Sequence, residues 1–514
     1  MMRYQKPLAL FLGLSIVCLS GCAAADQTSA VFTQAAQTAQ VTQTAETVST
    51  ADAVKLTFSD TAVTGSASGV DIDGTHVSIS KVGTYVLSGS CADGSVTVKK
   101  GTTGVTLVLD NLSLTASDRA AIACNKGTQV TIQVSGTCAL ADGEQNNDET
   151  YPDNENAENA VIKCKDGSQV TLCGTGSLTV TANGKNGIKS GADSEDGKAS
   201  LTIQELTLIV DAPVNDAINA EALLDIPSGN LTVNAGDDAV HSDLTLNIGA
   251  EGTEGPTIDI QSCYEGLEGA YVNIYSGNIS IQATDDCINA ADPDLKDVTF
   301  TLTISGGKID AYTSGGDGFD SNGDLTISGG TVSVWTANTA DNQPLDADGT
   351  ITISGGTVLA AGGSAGMGMN LQADQPCLVF GGSNGMGGRG GMGGSSLAAA
   401  GSAFTITDAS GNPLYEGTAK CNASFLFFSS DALSDGTTCT LTAGTTETTA
   451  EVQTGTVSSG MGGFGGGHGG MGRPDGDRKN SDGERPDFDG KTPPEGNPPD
   501  GKMGGNGQQP PDQK

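Results

Sequence analysis

Apolar and polar residues alternate in short runs along most of the middle of the chain. Leu231-Thr232-Val233, Leu302-Thr303-Ile304 and Ile351-Thr352-Ile353 place an apolar side chain at every second position, with Thr between. This period of two is typical of β-strands with one buried face. Glycine pairs such as Gly306-Gly307 and Gly329-Gly330 follow many runs and indicate sharp turns. Because no apolar spacing of 3.6 residues is sustained in this region, the pattern predicts an all-β protein.

A six-residue phrase recurs between these runs. In each copy an acid or amide is followed two residues later by an apolar residue, and then by a polar or charged one. The copies span residues 215–220, 237–242, 264–269, 285–290, 316–321 and 342–347. Their apolar residues are 22, 27, 21, 31 and 26 residues apart. A period in this range, with three strand-turn units in each repeat, predicts a solenoid of triangular coils, the parallel β-helix.

Stacking of these coils in register would place the acids of the phrase in rows along one edge. Successive coils lie ~4.8 Å apart, and two unit charges ~5 Å apart at an effective dielectric of ~20 repel by roughly 3 kcal/mol. Such a row raises its own pKa values or recruits a cation, and many hard oxygen ligands favour Ca²⁺. The predicted calcium ligands are Asp216, Asp238, Glu265, Asp286, Asp317, Asp320 and Asp346. A second row would contain Asn219, His241, Glu268 and Asn289 beside Asp320 and Asp346. The alternative is that several acids point outward and are screened by water.

The charge balance is strongly acidic, with 24 Lys and Arg against 61 Asp and Glu and a formal net charge of −37. Nucleic acid is disfavoured as a partner, because its phosphates require basic residues. The charge favours cations, although an acidic surface that keeps an extracellular protein soluble explains part of it. Aromatic residues make up only 4% of the chain, which favours a narrow core of stacked Val, Ile and Leu.

The N-terminus has the features of an export signal. Arg3 and Lys6 precede an apolar stretch, residues 8–19, that is too short to span a bilayer. The sequence Leu19-Ser20-Gly21-Cys22 resembles the bacterial lipobox, in which the cysteine carries the lipid. We therefore expect residues 1–21 to be a signal peptide and Cys22 the lipid attachment site of an extracellular protein on the bacterial cell surface, in contact with the membrane only through that lipid. The alternative is an ordinary secretory signal cleaved nearby.

Composition divides the remainder of the chain. Residues 22–55, rich in Ala, Thr and Gln, predict a flexible tether, and residues 56–375 carry the solenoid pattern. Residues 376–455 predict a Gly/Met-rich loop followed by a small β cap, and residues 456–514 predict a disordered Gly/Pro/Asp-rich tail. An acidic insertion at 142–159 interrupts the strand pattern and is either a solvated loop or a calcium-binding one.

Twelve cysteines are present, and no Cys-x-x-Cys motif occurs among them, so thiolate zinc sites and redox chemistry have weak support. Cys124 and Cys164 occupy matching places in two similar runs, which in adjacent coils would bring them close enough for a disulfide. Cys421 and Cys439 are a second candidate pair. Cys287, inside the repeated phrase, is expected in the core.

Four segments resemble a known bacterial family: Thr84-Tyr85-Val86-Leu87-Ser88-Gly89-Ser90, Val105-Thr106-Leu107-Val108-Leu109-Asp110, Asn186-Gly187-Ile188-Lys189-Ser190 and Asp285-Asp286-Cys287-Ile288-Asn289-Ala290. The family is the carbohydrate-binding-domain-containing lipoproteins of clostridia and relatives, formerly a domain of unknown function. The resemblance covers roughly residues 55 to 450. It implies a right-handed parallel β-helix like that of pectate lyases, bound calcium, and affinity for plant-type polysaccharides such as cellulose or acidic pectin without lyase activity.

Two aromatic residues are candidates for contact with sugar rings. Tyr312 and Trp335 end comparable strands, so they could lie side by side and stack on a sugar. The alternative is that they cover the ends of the core.

Candidate catalytic residues are weakly supported. The acid pairs Asp237-Asp238 and Asp285-Asp286 resemble those of glycosidases, but they recur with the repeat, which favours a structural role. The possible bases are Lys163, Lys185 and Lys189, and nothing in the sequence marks them as activated; His76, His241 and His468 are scattered. We therefore predict a non-catalytic, calcium-stabilised, polysaccharide-binding protein. The alternatives are a calcium-dependent polysaccharide lyase and a structural or adhesive spacer.

Overall fold

The computed structural model describes residues 50–292, 295, 298–337, 342–363, 369–381 and 396–459. These residues form 38 strands and contain no helix, which confirms the all-β prediction. Consequently, no helix within the described ranges is long and apolar enough to cross a membrane. The predicted signal peptide, Cys22 and most of the tether lie outside the described residues. The chain divides into two units, and all described residues belong to the first, Met1–Gly462.

The first half of the strands extends from the N-terminal region to the start of the repeated phrase. In chain order these strands are β1 (Val54–Phe58), β2 (Val63–Thr64), β3 (Val70–Asp73), β4 (His76–Ile79), β5 (Gly83–Cys91), β6 (Ser95–Val98), β7 (Val105–Ala116), β8 (Ile122–Cys124), β9 (Gln129–Ser135), β10 (Thr137–Asp142), β11 (Ala160–Cys164), β12 (Gln169–Gly174), β13 (Ser177–Thr181), β14 (Asn186–Ser190), β15 (Ser200–Ile203), β16 (Thr207–Ala212), β17 (Ile218–Ala220), β18 (Leu223–Ile226) and β19 (Asn230–Ala235).

The second half contains the remaining repeats and the C-terminal cap. These strands are β20 (Val240–Ile248), β21 (Thr257–Cys263), β22 (Leu267–Ile274), β23 (Asn278–Ala283), β24 (Ile288–Ala290), β25 (Thr301–Ile304), β26 (Lys308–Thr313), β27 (Phe319–Ser321), β28 (Asp324–Ile327), β29 (Thr331–Thr336), β30 (Ile351–Ile353), β31 (Thr357–Gly362), β32 (Met369–Gly381), β33 (Ala403–Thr407), β34 (Pro413–Thr418), β35 (Phe425–Ser429), β36 (Thr438–Ala443), β37 (Thr446–Glu451) and β38 (Gln453–Ser459).

Most strands belong to one 34-stranded sheet, in which successive repeats pair in parallel along three ladders. The first ladder follows β5, β7, β9, β12, β15, β18, β20, β22, β25, β28, β30 and β32. The second follows β5, β7, β10, β13, β16, β19, β21, β23, β26, β29 and β31. The third follows β4, β6, β8, β11, β14, β17, β20, β22, β24 and β27. Residues one repeat apart in sequence are therefore direct neighbours.

The apolar residue of the repeated phrase forms a continuous column within the core. Each member is fully buried and pairs in register with the next along the third ladder. The column comprises Ile188, Ile218, Val240, Leu267, Ile288, Phe319 and Leu345. This registration fixes which face of each strand is outward, and with it the position of the acids.

Antiparallel strands follow the last parallel repeat at the C-terminal end of the large sheet. β35 pairs antiparallel with β31 and β32, while β34, β33, β36 and β37 form a separate four-stranded sheet. β38 pairs antiparallel with β32, so the predicted start of a disordered tail at residue 456 is wrong for residues 456–459. The rest of the tail and most of the Gly/Met-rich loop lie outside the described residues.

The acidic insertion at 142–159 exposes most of its acids, as expected of a solvated loop, and asparagine side chains organise its interior. Asp142 and Asn146 are buried. The Asn146 amide donates to Asp142 Oδ2 at 2.8 Å and to the Ala160 carbonyl oxygen at 2.9 Å. The Asn183 N–H donates to Asp142 Oδ1 at 2.7 Å. Because N–H donors already surround this carboxylate, the structure does not favour the calcium alternative at this position.

The ten cysteines of the described chain are all free and buried. Cys124 and Cys164 are register partners on β8 and β11, as expected from their matching runs, but they form no disulfide. Cys421 and Cys439 also remain unbonded, both within the hydrophobic core under the cap. Cys287 lies in the main core, as predicted.

Candidate cation-binding ladder

Two columns of polar side chains run along the edge formed by the N-terminal ends of the strands in the third ladder. The turn column lies just before each strand and contains Asp216, Asp238, Glu265, Asp286, Asp317 and Gln343. The strand column lies three residues later and contains Asn219, His241, Glu268, Asn289, Asp320 and Asp346. Together we call them the acidic ladder.

Backbone hydrogen bonds hold the turn column in register. The N–H of Ala217 donates to the carbonyl oxygen of Asp238 at 2.9 Å, and Ala239 donates in the same way to Glu265 at 2.9 Å. The equivalent bonds from Gly266, Cys287 and Gly318 reach Asp286, Asp317 and Gln343 at 3.0, 3.2 and 2.8 Å. One turn-column side chain is thus fixed at the same place in each repeat.

The strand column is fixed by parallel pairing. Asn219 pairs with His241, His241 with Glu268, Glu268 with Asn289, and Asn289 with Asp320. Their neighbours in the strands point into the core, so these side chains face outward beside the turn column.

The structure brings six of the seven predicted calcium ligands into three clusters. Among the described residues, each cluster has ligand atoms within 4.8 Å of one another. The clusters are Asp216, Asp238 and His241; Asp238, Glu265 and Glu268; and Asp317, Asp320 and Asp346. The seventh predicted ligand, Asp286, belongs to none of these clusters. Its backbone carbonyl oxygen accepts the N–H of Gly266, and its carboxylate accepts the N–H of Asp317 at 2.5 Å.

Burial raises the pKa of the clustered acids. It raises the pKa of Asp216 to about 6, with a further contribution from Asp238, and that of Glu265 to about 8, with a contribution from Glu268. Burial, with smaller contributions from nearby acids, raises the pKa of Asp286 and Asp317 to about 7 and that of Asp320 to about 6. The pKa values of Asp238 and Asp346 are also raised, chiefly by burial. The ladder therefore either retains protons near neutral pH or takes up cations.

His241 is the one basic side chain within the three clusters. Its Nδ1 lies 3.0 Å from Asp238 Oδ2 and 2.9 Å from Glu268 Oε2, and its Nε2 lies 3.2 Å from Asp243 Oδ1. Burial opposes its charge, but hydrogen bonds to these three carboxylates outweigh burial and raise its pKa well above the usual range. An imidazolium therefore neutralises one end of the ladder.

Buried amides complete the clusters. The Asn219 amide donates to Asp216 Oδ2 at 2.7 Å, and the Asn289 amide donates to Glu265 Oε2 at 3.0 Å. Gln343 contributes a third amide beside Asp346, where it opposes the rise in the pKa of that carboxyl. The carbonyl oxygen of each amide is buried and has no hydrogen-bond partner among the described residues. An unpaired buried acceptor costs about 1–3 kcal/mol. These oxygens are hard ligands that a cation would satisfy.

Two lysines continue the strand column beyond its acidic part. Lys163 pairs with Lys189, and Lys189 with Asn219. Burial lowers the pKa of Lys163, and the charge of Lys189 lowers it further. The structure therefore identifies Lys163 as a lysine with a lowered pKa, and nothing in the sequence indicated this property.

The predicted aromatic pair is adjacent but covered. Tyr312 and Trp335 are register partners, yet Trp335 is only 1% exposed and packs edge-on against Phe404, with ring centroids 5.9 Å apart. Tyr312 is partly buried against the same core. A sugar ring cannot reach Trp335, so its predicted stacking role is wrong. The alternative, that Trp335 covers the end of the core, agrees with its burial.

Tyr264 is the exposed aromatic residue next to the ladder. It is 47% exposed and directly precedes Glu265. A hydrogen bond to Asp285 raises the pKa of its hydroxyl to about 12. In the sequence, Tyr264 differs from its equivalents because it is the first residue of its copy of the repeated phrase, where the other copies have Asn, Asp or Gly.

The comparison with family models agrees with the sequence resemblance. A family model described as carbohydrate-binding domain-containing protein matches residues 73–366. The chain is also similar to a solved structure described as the polysaccharide lyase-like protein from C. thermocellum, gadolinium derivative. The identity is 22%, the match covers 60% of this chain and 93% of that one, and the TM-score is 0.30. No curated protein matches this chain.

Proposed function

We propose, from the premise that this chain belongs to the carbohydrate-binding domain-containing protein family, that it is a non-catalytic polysaccharide-binding protein stabilised by calcium. The three parallel ladders support a second proposal, that the repeats are the coils of a right-handed parallel β-helix. The sequence Leu19-Ser20-Gly21-Cys22 supports a third, that a lipid on Cys22 anchors the protein to the bacterial cell surface.

The observation that carries the calcium proposal is the combination of crowded carboxylates and unpartnered amide oxygens. Asp317, Asp320 and Asp346 have ligand atoms within 4.8 Å of one another, and Gln343 adds a buried carbonyl oxygen beside Asp346. This set offers only oxygen ligands, which is the chemistry that Ca²⁺ prefers. The remaining predicted ligands, Asp216, Asp238, Glu265 and Asp286, extend the ladder toward the N-terminus.

Polysaccharide binding follows from the same edge of the molecule. A calcium ion held by the ladder can share its open coordination positions with carboxylates of an acidic glycan. Tyr264 offers an exposed aromatic face beside Glu265, on which a sugar ring can stack. An acidic plant-type polysaccharide therefore suits this surface.

Binding to immobilised polygalacturonate and cellulose, with calcium and with a chelator, tests this proposal. We expect binding in calcium that the chelator abolishes. Asp317→Asn should weaken binding, whereas Asp431→Asn, which changes an exposed acid in the cap, should not. Binding to neither polymer under any condition would instead favour the structural spacer.

A calcium-dependent polysaccharide lyase is the alternative with a specific observation behind it. Burial and Lys189 lower the pKa of Lys163, which is the direction that favours a general base able to remove the proton next to a uronate carboxylate. Ultraviolet absorbance of unsaturated products from polygalacturonate tests this reaction. Product formation that is lost in Lys163→Met would replace the non-catalytic proposal.

A further inference from the structure

We propose that the His241 end of the acidic ladder is a second metal site of different chemistry, which binds Zn²⁺ or a similar transition-metal ion through Asp216, Asp238 and His241. This site goes beyond the calcium proposal and does not depend on calcium at the opposite end.

The imidazole is oriented as a metal ligand. Nδ1 faces the cluster, 3.0 Å from Asp238 Oδ2, while Nε2 faces away toward Asp243 Oδ1 at 3.2 Å. A histidine that binds a metal usually donates its second ring N–H to a carboxylate, which fixes the tautomer and the ring orientation. Asp243 would serve as that positioning residue.

The spacing of the three ligand atoms fits a small ion. The contributing atoms of Asp216, Asp238 and His241 all lie within 4.8 Å of one another. Zinc ligands lie ~2.0–2.2 Å from the metal, so tetrahedral ligand atoms are about 3.4 Å apart. The upper limit of 4.8 Å includes this value, so the three ligand atoms are close enough to share one ion.

An independent feature points to a ligand at the same place. Asn219 is only 6% exposed, and its Oδ1 has no hydrogen-bond partner among the described residues. Its amide nitrogen donates to Asp216 Oδ2 at 2.7 Å, and its backbone pairs directly with His241. The orphan oxygen therefore belongs to the cluster and can provide a fourth ligand.

The donor set selects the class of metal. Imidazole suits Zn²⁺, Co²⁺, Ni²⁺ and Cu²⁺, whereas Ca²⁺ takes six to eight oxygen ligands and gains little from nitrogen. The His241 ring lies against the carboxylates of Asp238, Glu268 and Asp243, so negative charge surrounds the position that a divalent ion would occupy.

Cobalt binding to the full-length protein in excess calcium tests the proposal. Co²⁺ bound by nitrogen and oxygen in a tetrahedral site absorbs visible light strongly, and Zn²⁺ should displace it at one equivalent. The key variant is His241→Asn, because Asn already occupies the equivalent position at Asn219 and Asn289 and the fold therefore accepts it. His76 and His468 remain in this variant, so any difference from the parent protein reports His241 alone.

We expect His241→Asn to lose the cobalt absorbance and to weaken Co²⁺ binding by more than about 100-fold, since a direct ligand contributes more than a positioning residue. Asp243→Asn, which leaves all ligands in place, should weaken binding about 10–100-fold. The control Asp320→Asn should leave Co²⁺ binding unchanged while it reduces calcium uptake.

Three results would overturn the proposal. They are displacement of Co²⁺ by excess calcium, unchanged Co²⁺ binding in folded His241→Asn, and unchanged Co²⁺ binding in Asp243→Asn. Calcium uptake, measured on the same samples, reports the calcium proposal separately. Failure of one proposal is therefore distinguishable from failure of the other.

Discussion

The backbone N–H of Gln343 donates a hydrogen bond to Asp317 Oδ1, while the side-chain carbonyl oxygen of Gln343 is buried without a partner among the described residues. Gln343 ends the turn column one repeat beyond Asp317, and Asp346 ends the strand column one repeat beyond Asp320. An unsatisfied oxygen therefore lies at the end of the ladder where no histidine neutralises the charge. Such an oxygen is expected of a cation site and not of a merely acidic surface.

Replacing Gln343 with leucine separates these two possibilities. Gln343→Leu removes the unpaired oxygen and keeps the volume, so in chelator the variant should be as stable as the parent or about 1 kcal/mol more stable. In calcium it should gain less stability than the parent, because one ligand is missing. Thermal unfolding in both buffers measures the difference. Equal calcium stabilisation of the two proteins would exclude Gln343 as a ligand.

Calcium bound by Asp317, Asp320 and Asp346 should stabilise the folded protein. Ligand binding to the folded state alone contributes about 2.7 kcal/mol at a free calcium concentration of 100 times Kd. Asp320→Asn should reduce that gain, and the exposed-site control Asp431→Asn should retain it in full. Urea unfolding with calcium and with chelator measures the gain, and an identical midpoint in the two buffers would argue against bound calcium.

Without metal, stability should decrease as pH rises from 5 to 8. The folded-state pKa values of Asp216, Glu265 and Asp317 are about 6, 8 and 7, against about 4 in an unfolded chain. A raised pKa means that the folded protein binds more protons, so this stabilising contribution is complete below pH ~4 and is lost as pH rises through the folded-state values. The raised pKa of His241 acts in the same direction.

Unfolding in chelator across this pH range measures the effect. Glu265→Gln cannot titrate at that position, so its profile should be flatter than that of the parent protein. A midpoint that rises with pH in the absence of metal would contradict the burial of these acids.

The two aromatic residues should respond differently to truncation. Tyr264→Ala should weaken polysaccharide binding with little change in stability, because the side chain is half exposed. Trp335→Ala should cost about 3–5 kcal/mol of stability, because it opens a cavity in the core. Binding assays below the unfolding temperature should show parent-like affinity for the Trp335 variant. A selective loss of binding there would restore Trp335 as a sugar contact.

The period of the phrase was sufficient to predict much of this protein. Alternation at Leu302-Thr303-Ile304 predicted a strand with one buried face, and the structure places β25 there. The recurring apolar residue predicted a stacked core column, which Val240 and Leu267 form as register partners. Since one register places every acid of the phrase at the same edge, the ladder itself was predictable.

The role of individual side chains was less accessible. Trp335 has the strand-end position of an exposed aromatic, and the hydrophobic cluster that includes Phe404 of the cap covers it. The insertion at 142–159 has the composition of a solvated loop, yet Asn146 fills its interior with hydrogen bonds.

The sequence by itself determined the all-β class, the repeat and the rows of acids, because a buried face and a sharp turn recur locally with a fixed period. Only the tertiary structure decided which acids cluster, that His241 neutralises one end, and which amide oxygens remain without a partner. Those properties depend on distances between side chains in different repeats and on burial by distant segments, and no local pattern encodes either.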